Sequence, residues 1–318
     1  MKIVICDCYY ESFDQEKAVF TALGSAFYKY DCRTEDEVIA VASDCDALVC
    51  QSAPITAKVI DSLTKCKIIV RYGIGYDNID WKFAEKKGIY VCNCPDYCID
   101  EVSNHAIALM LDCSRKITYL AGQIKLGNAG YKVIEPVIRT RGKILGLVGF
   151  GKIARLVARK MSGFDMEIIS YDPYMSRNVF KQFGVRQVSF DELLKESDFI
   201  SVHCYLNDET KHMFNYQAFK KMKNTCVFVN TARGGLVDEK ALIRALENKQ
   251  IGMAGIDVTE AEPIETDNPL LYLDNAVVTS HMAWYSVESK QELQLNVAQE
   301  VERVMKGEKP RNPVNNPV

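Results

Sequence analysis

Midway along the chain an apolar run enters a cluster of glycines: Lys143-Ile144-Leu145-Gly146-Leu147-Val148-Gly149-Phe150-Gly151-Lys152-Ile153-Ala154. A second apolar run, Met166 to Tyr171, ends in the carboxylate of Asp172. The order predicts strand, tight turn, helix and second strand, the arrangement by which an α/β chain holds a dinucleotide. Gly149 allows the turn, Gly151 lets the backbone approach a pyrophosphate, and Ala154 keeps helix close to strand. The pyrophosphate is expected on the positive end of the helix starting near Gly151, against Gly149, Phe150, Gly151, Lys152 and Ile153. Asp172 would accept the ribose hydroxyls and repel a 2′-phosphate, which favours NAD over NADP. Arg177, a little further on, counts the other way. Similar glycine turns occur in α/β proteins that bind no nucleotide, but here strand, helix and carboxylate agree.

At 318 residues the chain is long enough for two domains. Hydrophobic residues at 48% and charged residues at 25% fit a soluble globular protein. A net charge of −3 and a pI near 5.9 leave no electrostatic footprint for nucleic acid or an anionic membrane. No apolar run approaches the roughly 18 residues of a spanning helix. The start, Met1-Lys2-Ile3-Val4-Ile5-Cys6, turns polar too soon for a signal peptide, so a cytoplasmic location is expected. Among twelve cysteines, Cys92, Cys94 and Cys98 with His105 raise the idea of a metal site. No second cysteine knuckle follows, however, and Cys6, Cys50, Cys92, Cys204 and Cys226 sit in strand-like runs as small hydrophobes. Reduced core thiols and no metal are expected.

Strand-like runs at Lys2–Cys6, Ala47–Gln51, Lys67–Arg71 and Ile89–Asn93 alternate with helical patterns around Glu16–Leu23, Glu35–Ser43, Thr56–Leu63 and Asn78–Lys87. That alternation predicts a parallel sheet covered on both faces, a second α/β domain. One long helix is expected from about Asp100 to Lys125, apolar on more than one face, followed by a loop from Gly127 to Gly142. Beyond Asp172, strands are expected at Phe199–His203, Cys226–Asn230, Gly252–Val258 and Ala276–Thr279, giving a six-stranded doubly wound sheet. The amphipathic last helix, Val287 to Lys306, could return to the first domain, and Pro310 to Val318 reads as a loose tail. The expected division is a discontinuous flavodoxin-like domain, 1–98 with 288–318, and a Rossmann domain, 99–287.

Hydride transfer at a carbon bearing oxygen needs a proton carrier, and four histidines are available. His212 lies in a polar helical stretch and reads as surface, and His105 reads as a packing or domain-contact residue within the long helix. His203 and His281 follow strands, where parallel sheets bind ligands, and are favoured.

Several separated motifs then resemble the D-2-hydroxyacid dehydrogenases. Val229-Asn230-Thr231-Ala232-Arg233-Gly234-Gly235-Leu236-Val237-Asp238-Glu239 resembles their arginine signature. Ile256-Asp257-Val258 with Glu262-Pro263, and then His281, resembles the rest of their catalytic set. Arg71-Tyr72-Gly73-Ile74-Gly75-Tyr76-Asp77-Asn78-Ile79-Asp80 resembles their substrate loop. Ser280 stands where the family commonly has proline. Val91-Cys92-Asn93 with Pro95, Glu101-Val102, and His281 through Ser286 look most like the branch containing the C-terminal binding proteins.

The resemblance implies NAD as coenzyme and a catalytic set of Arg233, Glu262 and His281. Glu262 would favour the imidazolium of His281, which exchanges a proton with the substrate oxygen. Arg233 suits a carboxylate beside a carbonyl, and Arg71 would add a second cation. Backbone N–H groups of Gly73, Ile74 and Gly75 would cradle the carboxylate, with Tyr72 and Trp284 shaping the pocket. His203, Cys204, Asn207, Thr231, Ala232 and Asp257 would join Arg233, His281 and Trp284 around the cofactor. A homodimer built on the long helix and closure of one domain on the other are also implied.

The activity implied is interconversion of a D-2-hydroxy acid and its 2-oxo acid. Oxidation of 3-phosphoglycerate is an alternative that would need phosphate-binding cations, with Arg71, Arg139 and Arg141 as candidates, and no regulatory domain is expected after residue 318. Formate oxidation fits poorly, because it needs no proton relay. An NAD(H)-sensing corepressor or scaffold is the alternative from another class, weakened by the lack of a basic surface.

Overall fold

In a computed structural model, the described residues are 1–130 and 137–317, and they form two compact units, Met1–Cys98 with Tyr285–Val318, and Ile99–Trp284. The expected loop from Gly127 to Gly142 therefore lies partly outside the described residues, as does Val318.

The first unit contains β1 (Lys2–Ile5), α1 (Asp14–Ala22), β2 (Ala26–Lys29), α2 (Glu35–Ala42), β3 (Ala47–Cys50), α3 (Ala57–Ser62), β4 (Ile68–Arg71), α4 (Trp81–Lys86) and β5 (Tyr90–Cys92). Its sheet is wholly parallel with the order β2-β1-β3-β4-β5, the flavodoxin-like winding. Ala47–Cys50 and Ile68–Val70 of the central strands are continuously apolar and buried because both faces are covered, and Arg71 emerges at the end of β4. One face packs Val38, Ala42, Val59 and Ile60 of α2 and α3 against Val4, Leu48 and Ile69. Thr34 caps α2 in a capping box with Glu37, and Asp80 caps α4. The C-terminal helix of the chain, Val287–Met305, packs against α1 in this unit.

Two expectations fail here. The tail is not loose: Val314 donates to the Val91 carbonyl at 2.8 Å, and the Asn315 side chain accepts from Val91 N and donates to the Ile89 carbonyl. The segment thus supplies hydrogen bonds along the outer edge of β5, which would otherwise present unpaired backbone groups. The edge strand β2 is missed by the sequence because its side chains are mostly exposed and carry no alternation.

The second unit contains α5 (Ile99–Arg115), α6 (Ile117–Lys125), β6 (Ile144–Val148), α7 (Lys152–Met161), β7 (Glu167–Tyr171), α8 (Arg177–Gln182), β8 (Arg186–Gln187), α9 (Phe190–Glu196), β9 (Phe199–Val202), α10 (Tyr216–Lys221), β10 (Val227–Asn230), α11 (Glu239–Glu247), β11 (Met253–Ile256) and β12 (Ala276–Val278). Its parallel sheet runs β12-β11-β10-β9-β6-β7-β8, the doubly wound Rossmann order with one strand more than the expected six. The extra strand is the two-residue β8, too short to read from sequence. Leu109, Met110 and Cys113 of α5 pack with Ala154 and Val157 of α7 on one face of the sheet. Leu193, Phe219, Leu242 and Leu246, from α9, α10 and α11, cover the other.

The single long helix is also corrected. Lys116 takes a left-handed φ of 54° and separates α5 from α6, while Asp112 accepts the N–H and hydroxyl of Thr118 just beyond the break. Lys116 carries no sequence signal for such a turn.

Candidate active site

The chemistry-bearing segments of the second unit leave the sheet at the C-terminal ends of neighbouring parallel strands: Gly149 after β6, Asp172 after β7, His203 after β9, Arg233 after β10, Asp257 after β11 and His281 after β12. The order of the sheet reverses between β6 and β9, the place where doubly wound folds hold ligands.

Gly149 takes a φ of 85°, and a Cβ there would lie 2.8 Å from Cys204 N and 2.9 Å from the His203 carbonyl. Only glycine lets these two strand ends approach so closely. Gly151 precedes α7, and a Cβ on it would meet nothing within 4 Å, so this helix N-terminus is open to an anion. Asp172 accepts Phe150 N at 2.8 Å through one oxygen and Tyr174 N at 2.9 Å through the other, which fixes the carboxylate beside the turn. Met175 N also donates, at 3.2 Å, to the oxygen held by Tyr174 N, so the oxygen facing Phe150 N is the one with a lone pair left for a ribose hydroxyl. At the end of β10 the buried Thr231 hydroxyl has no hydrogen-bond partner among the described residues. An open helix start, a fixed carboxylate and an unsatisfied hydroxyl at the C-terminal ends of β6, β7 and β10 suit a dinucleotide.

Some expected contacts are placed otherwise. The Phe150 ring is fully buried and stacks on Phe180 at 4.7 Å, so it faces the core. The Asn207 side chain accepts the N–H groups of Glu209 and Thr210 and closes its own turn. Asp257 does not line an open crevice: it is 1% exposed and its carboxylate is turned into the 279–283 loop. Arg177 is exposed in the first turn of α8. Cys204 is half-buried, and burial pushes its thiol up to about 12.

The four histidines separate clearly. His281 Nδ1 lies 2.7 Å from Glu262 Oε2, and both side chains are half-exposed. The carboxylate can only accept, so Nδ1 carries the hydrogen of this contact and Nε2 is the ring nitrogen that Glu262 does not engage. His203 instead contacts Ser201 Oγ at 2.9 Å, and burial pulls its imidazole down to about 4, so it is neutral near pH 7. His212 sits in a turn rather than a helical stretch and pairs with Glu260 at the surface. His105 is more than packing: its Nε2 lies 3.0 Å from Thr279 Oγ1 and 3.4 Å from Asp257 Oδ1.

Arg233 follows β10 in extended conformation, and one guanidinium nitrogen donates to the Ala232 carbonyl. Asn230 braces this loop, donating to the Arg233 carbonyl and accepting from Ala232 N. Gly234 then presses against the next loop: a Cβ on it would fall 2.0 Å from the Thr259 carbonyl oxygen. Thr259 N in turn faces Glu262 Oε1 at 3.4 Å. The glycine after the arginine is thus what lets the arginine loop pack against the loop carrying Glu262. Trp284, half-buried, closes the unit in sequence.

In the first unit, Arg71 Nε donates to the Gln51 carbonyl at 3.0 Å, and its guanidinium lies over the α-carbon of Gly73, whose φ is 138°. Asp7 accepts the N–H groups of Gln51, Ser52 and Ala53, which fixes the carbonyl that holds Arg71. The Ile74 carbonyl accepts from the Asn93 side chain. Tyr72 does not shape a pocket: it is 2% exposed, and its hydroxyl donates to the buried Glu16 at 2.7 Å. Arg141, a candidate for phosphate, precedes β6 and pairs with Asp165, away from the C-terminal strand ends.

None of the twelve cysteines, all among the described residues, forms a disulfide, and all but Cys204 are buried. No group of three or more His, Cys, Asp or Glu among the described residues is placed to hold a metal ion. No helix among them is long and apolar enough to cross a membrane.

Comparison with known proteins agrees with this architecture. The family described as D-isomer specific 2-hydroxyacid dehydrogenase, NAD binding domain, matches residues 107–283. The glyoxylate reductase of Korarchaeum cryptofilum is 39% identical over 285 residues, covering 88% of this chain and 86% of that protein. The D-3-phosphoglycerate dehydrogenase of Methanocaldococcus jannaschii is also 39% identical, over 89% of this chain but only 54% of its own length. A crystal structure of D-lactate dehydrogenase from Aquifex aeolicus, complexed with NAD and lactic acid, superposes with a TM-score of 0.88 at 26% identity, covering 99% of this chain and 100% of the other. With sequence, sheet order and nucleotide turn in agreement, the chain belongs to the D-isomer specific 2-hydroxyacid dehydrogenases, NAD-dependent oxidoreductases.

Proposed function

We propose that this protein interconverts a small 2-oxo acid and its D-2-hydroxy acid, with His281 and Glu262 as the proton relay and Arg233 as the substrate anchor. The observation that carries the reading is the 2.7 Å contact between His281 Nδ1 and Glu262. NAD would rest its pyrophosphate on the backbone of Gly149 to Ile153 and its ribose on Asp172, with Thr231, Ala232 and Cys204 along the nicotinamide half. When bound, the nicotinamide supplies or accepts the hydride at C2. Arg233 holds the carboxylate and carbonyl oxygens in one plane, matching its guanidinium fork. Glu262 fixes the ring of His281, whose Nε2 gives a proton to the carbonyl oxygen in reduction and takes it back in oxidation. Asp257 contributes by holding the loop of His281, not by touching the cofactor. Recognition by Arg71, the Gly73-Ile74-Gly75 backbone and Trp284 belongs to the same proposal.

Glyoxylate is the first substrate to test, given the named activity of the Korarchaeum relative. The test is steady-state reduction of a panel of 2-oxo acids with NADH, including glyoxylate, pyruvate, hydroxypyruvate and 3-phosphohydroxypyruvate. Arg233→Ala should lower kcat/KM about 100-fold or more, and full activity in that variant refutes the anchor. Turnover confined to the phosphorylated substrate would favour the phosphoglycerate reading. A partner or shape response to NADH without turnover would favour a scaffold like the C-terminal binding proteins. A cytosolic homodimer assembled on α5 and α6 is part of the proposal, and sedimentation would settle the oligomeric state.

A further inference from the structure

The loop that carries His281 hangs from one residue, Asp257. The Asp257 carbonyl accepts His281 N at 2.7 Å, and its carboxylate accepts Met282 N and Ala283 N at 2.9 Å each. Three successive N–H groups converging on one residue hold His281 at a left-handed φ of 54°, which side-chain-bearing residues adopt only when their surroundings impose it. No proline precedes the histidine, so these hydrogen bonds supply the rigidity. The carboxylate is buried, and its direction depends on its remaining donors. Thr279 Oγ1 lies 2.6 Å from Oδ1. His105 Nε2, from α5, lies 3.0 Å from that hydroxyl and 3.4 Å from the same carboxylate oxygen.

Counting protons fixes the state of His105. A threonine hydroxyl has one hydrogen. Two oxygens at 2.6 Å need that hydrogen between them, so Thr279 donates to Asp257. Oγ1 then offers only lone pairs to His105, and Nε2 must carry the hydrogen. Its approach to Oδ1 requires the same, because a ring lone pair facing a carboxylate would repel it.

We infer that His105 is a positioning residue for the reaction: its Nε2–H locks Thr279 and Asp257, and through them the loop that aims His281. The inference rests on the reading of His281 as the acid–base group. It acts at the level of geometry, where a misplacement of about 1 Å can cost on the order of 100-fold in rate.

Two measurements test it. Long-range ¹H–¹⁵N correlation on the protein without coenzyme should find His105 protonated at Nε2, and a neutral ring protonated only at Nδ1 overturns the inference. In kinetics, the amide nitrogen of His105→Gln reaches the place of Nε2, whereas that of His105→Asn reaches only the place of Nδ1. The Gln variant should keep kcat near the parent value, and the Asn variant should lose about 10- to 100-fold. Both should retain the NADH dissociation constant of the parent and stay folded at the assay temperature. Equal kcat in the two variants, at any level, overturns the inference, and their shared polarity and size keep folding from deciding the comparison. His281→Gln, run alongside, separates the two readings. If it turns over at the parental rate, the relay reading falls and the inference with it. If it is inactive while the Gln and Asn variants agree, only the inference about His105 falls.

Discussion

Replacing Asp257 by Asn changes almost no volume but removes a buried charge that several donors share. Burial alone pushes the Asp257 carboxyl up, and the donors from His105, Thr279, Ala283 N and Met282 N overrule it and hold it down to about 2. Against the ordinary carboxyl value of 3.8, that depression corresponds to about 2 kcal/mol of stabilisation near pH 7. An amide brings a second loss. If its oxygen keeps Thr279 and Met282, its NH₂ faces Ala283 N, a buried donor then left without an acceptor, at about 1–3 kcal/mol. The terms overlap, so a total of about 3 kcal/mol is expected, or about 6–12 °C in the melting of the second unit. Calorimetry of parent and Asp257→Asn measures it. The depressed carboxyl stabilises the fold above its unfolded pKa and loses that contribution as pH falls through the folded value near 2. The gap between parent and variant should therefore be complete at neutral pH and shrink to about half near pH 3. A shift below about 1 °C at pH 7, or a gap independent of pH down to 3, would refute this account of the loop.

Other substitutions probe the remaining joints. Gly149→Ala puts a Cβ into the backbone of His203 and Cys204 at a positive φ, and should cost about 3 kcal/mol or more and abolish NADH binding by fluorescence titration. Gly234→Ala drives a Cβ into the Thr259 carbonyl, so it should separate the arginine loop from the Glu262 loop and lower kcat/KM at least about 100-fold with NADH affinity retained. Burial raises the carboxyl of Glu16, against the hydrogen bonds it accepts from Tyr72 and Gln294. A raised acid favours the fold below its unfolded value and loses that contribution as pH rises through the folded value. Glu16→Gln should thus gain stability relative to the parent on going from pH 4 to pH 8, read from denaturant midpoints.

Much of this was legible in the chain because local signals and tertiary demands coincide. Gly149, Gly151 and Asp172 mark the nucleotide turn in sequence, and the same backbone constraints appear in space. The central strands read correctly because burial along their whole length makes them predominantly apolar. What failed has no local signature. Lys116 is an ordinary helix former in a left-handed turn, and β8 has two residues. Pro310 to Asn316 reads as tail because its partners, Ile89 and Val91, lie more than two hundred residues away. Tyr72 sits in a motif associated with substrate, yet its ring is needed to satisfy buried Glu16. His105 looks like packing on an amphipathic helix, and only the fold brings Thr279 and Asp257 to it.

The central claim is that His281 delivers the proton that accompanies hydride transfer to a 2-oxo acid. The direct measurement is a single turnover with NADH deuterated at nicotinamide C4, comparing the parent with His281→Gln at saturating coenzyme. The parent should place deuterium at C2 of a D-2-hydroxy acid, while the variant binds NADH equally well and transfers label at least about 1,000-fold more slowly. Equal transfer in both proteins, or no transfer from the parent to any 2-oxo acid, would contradict the account.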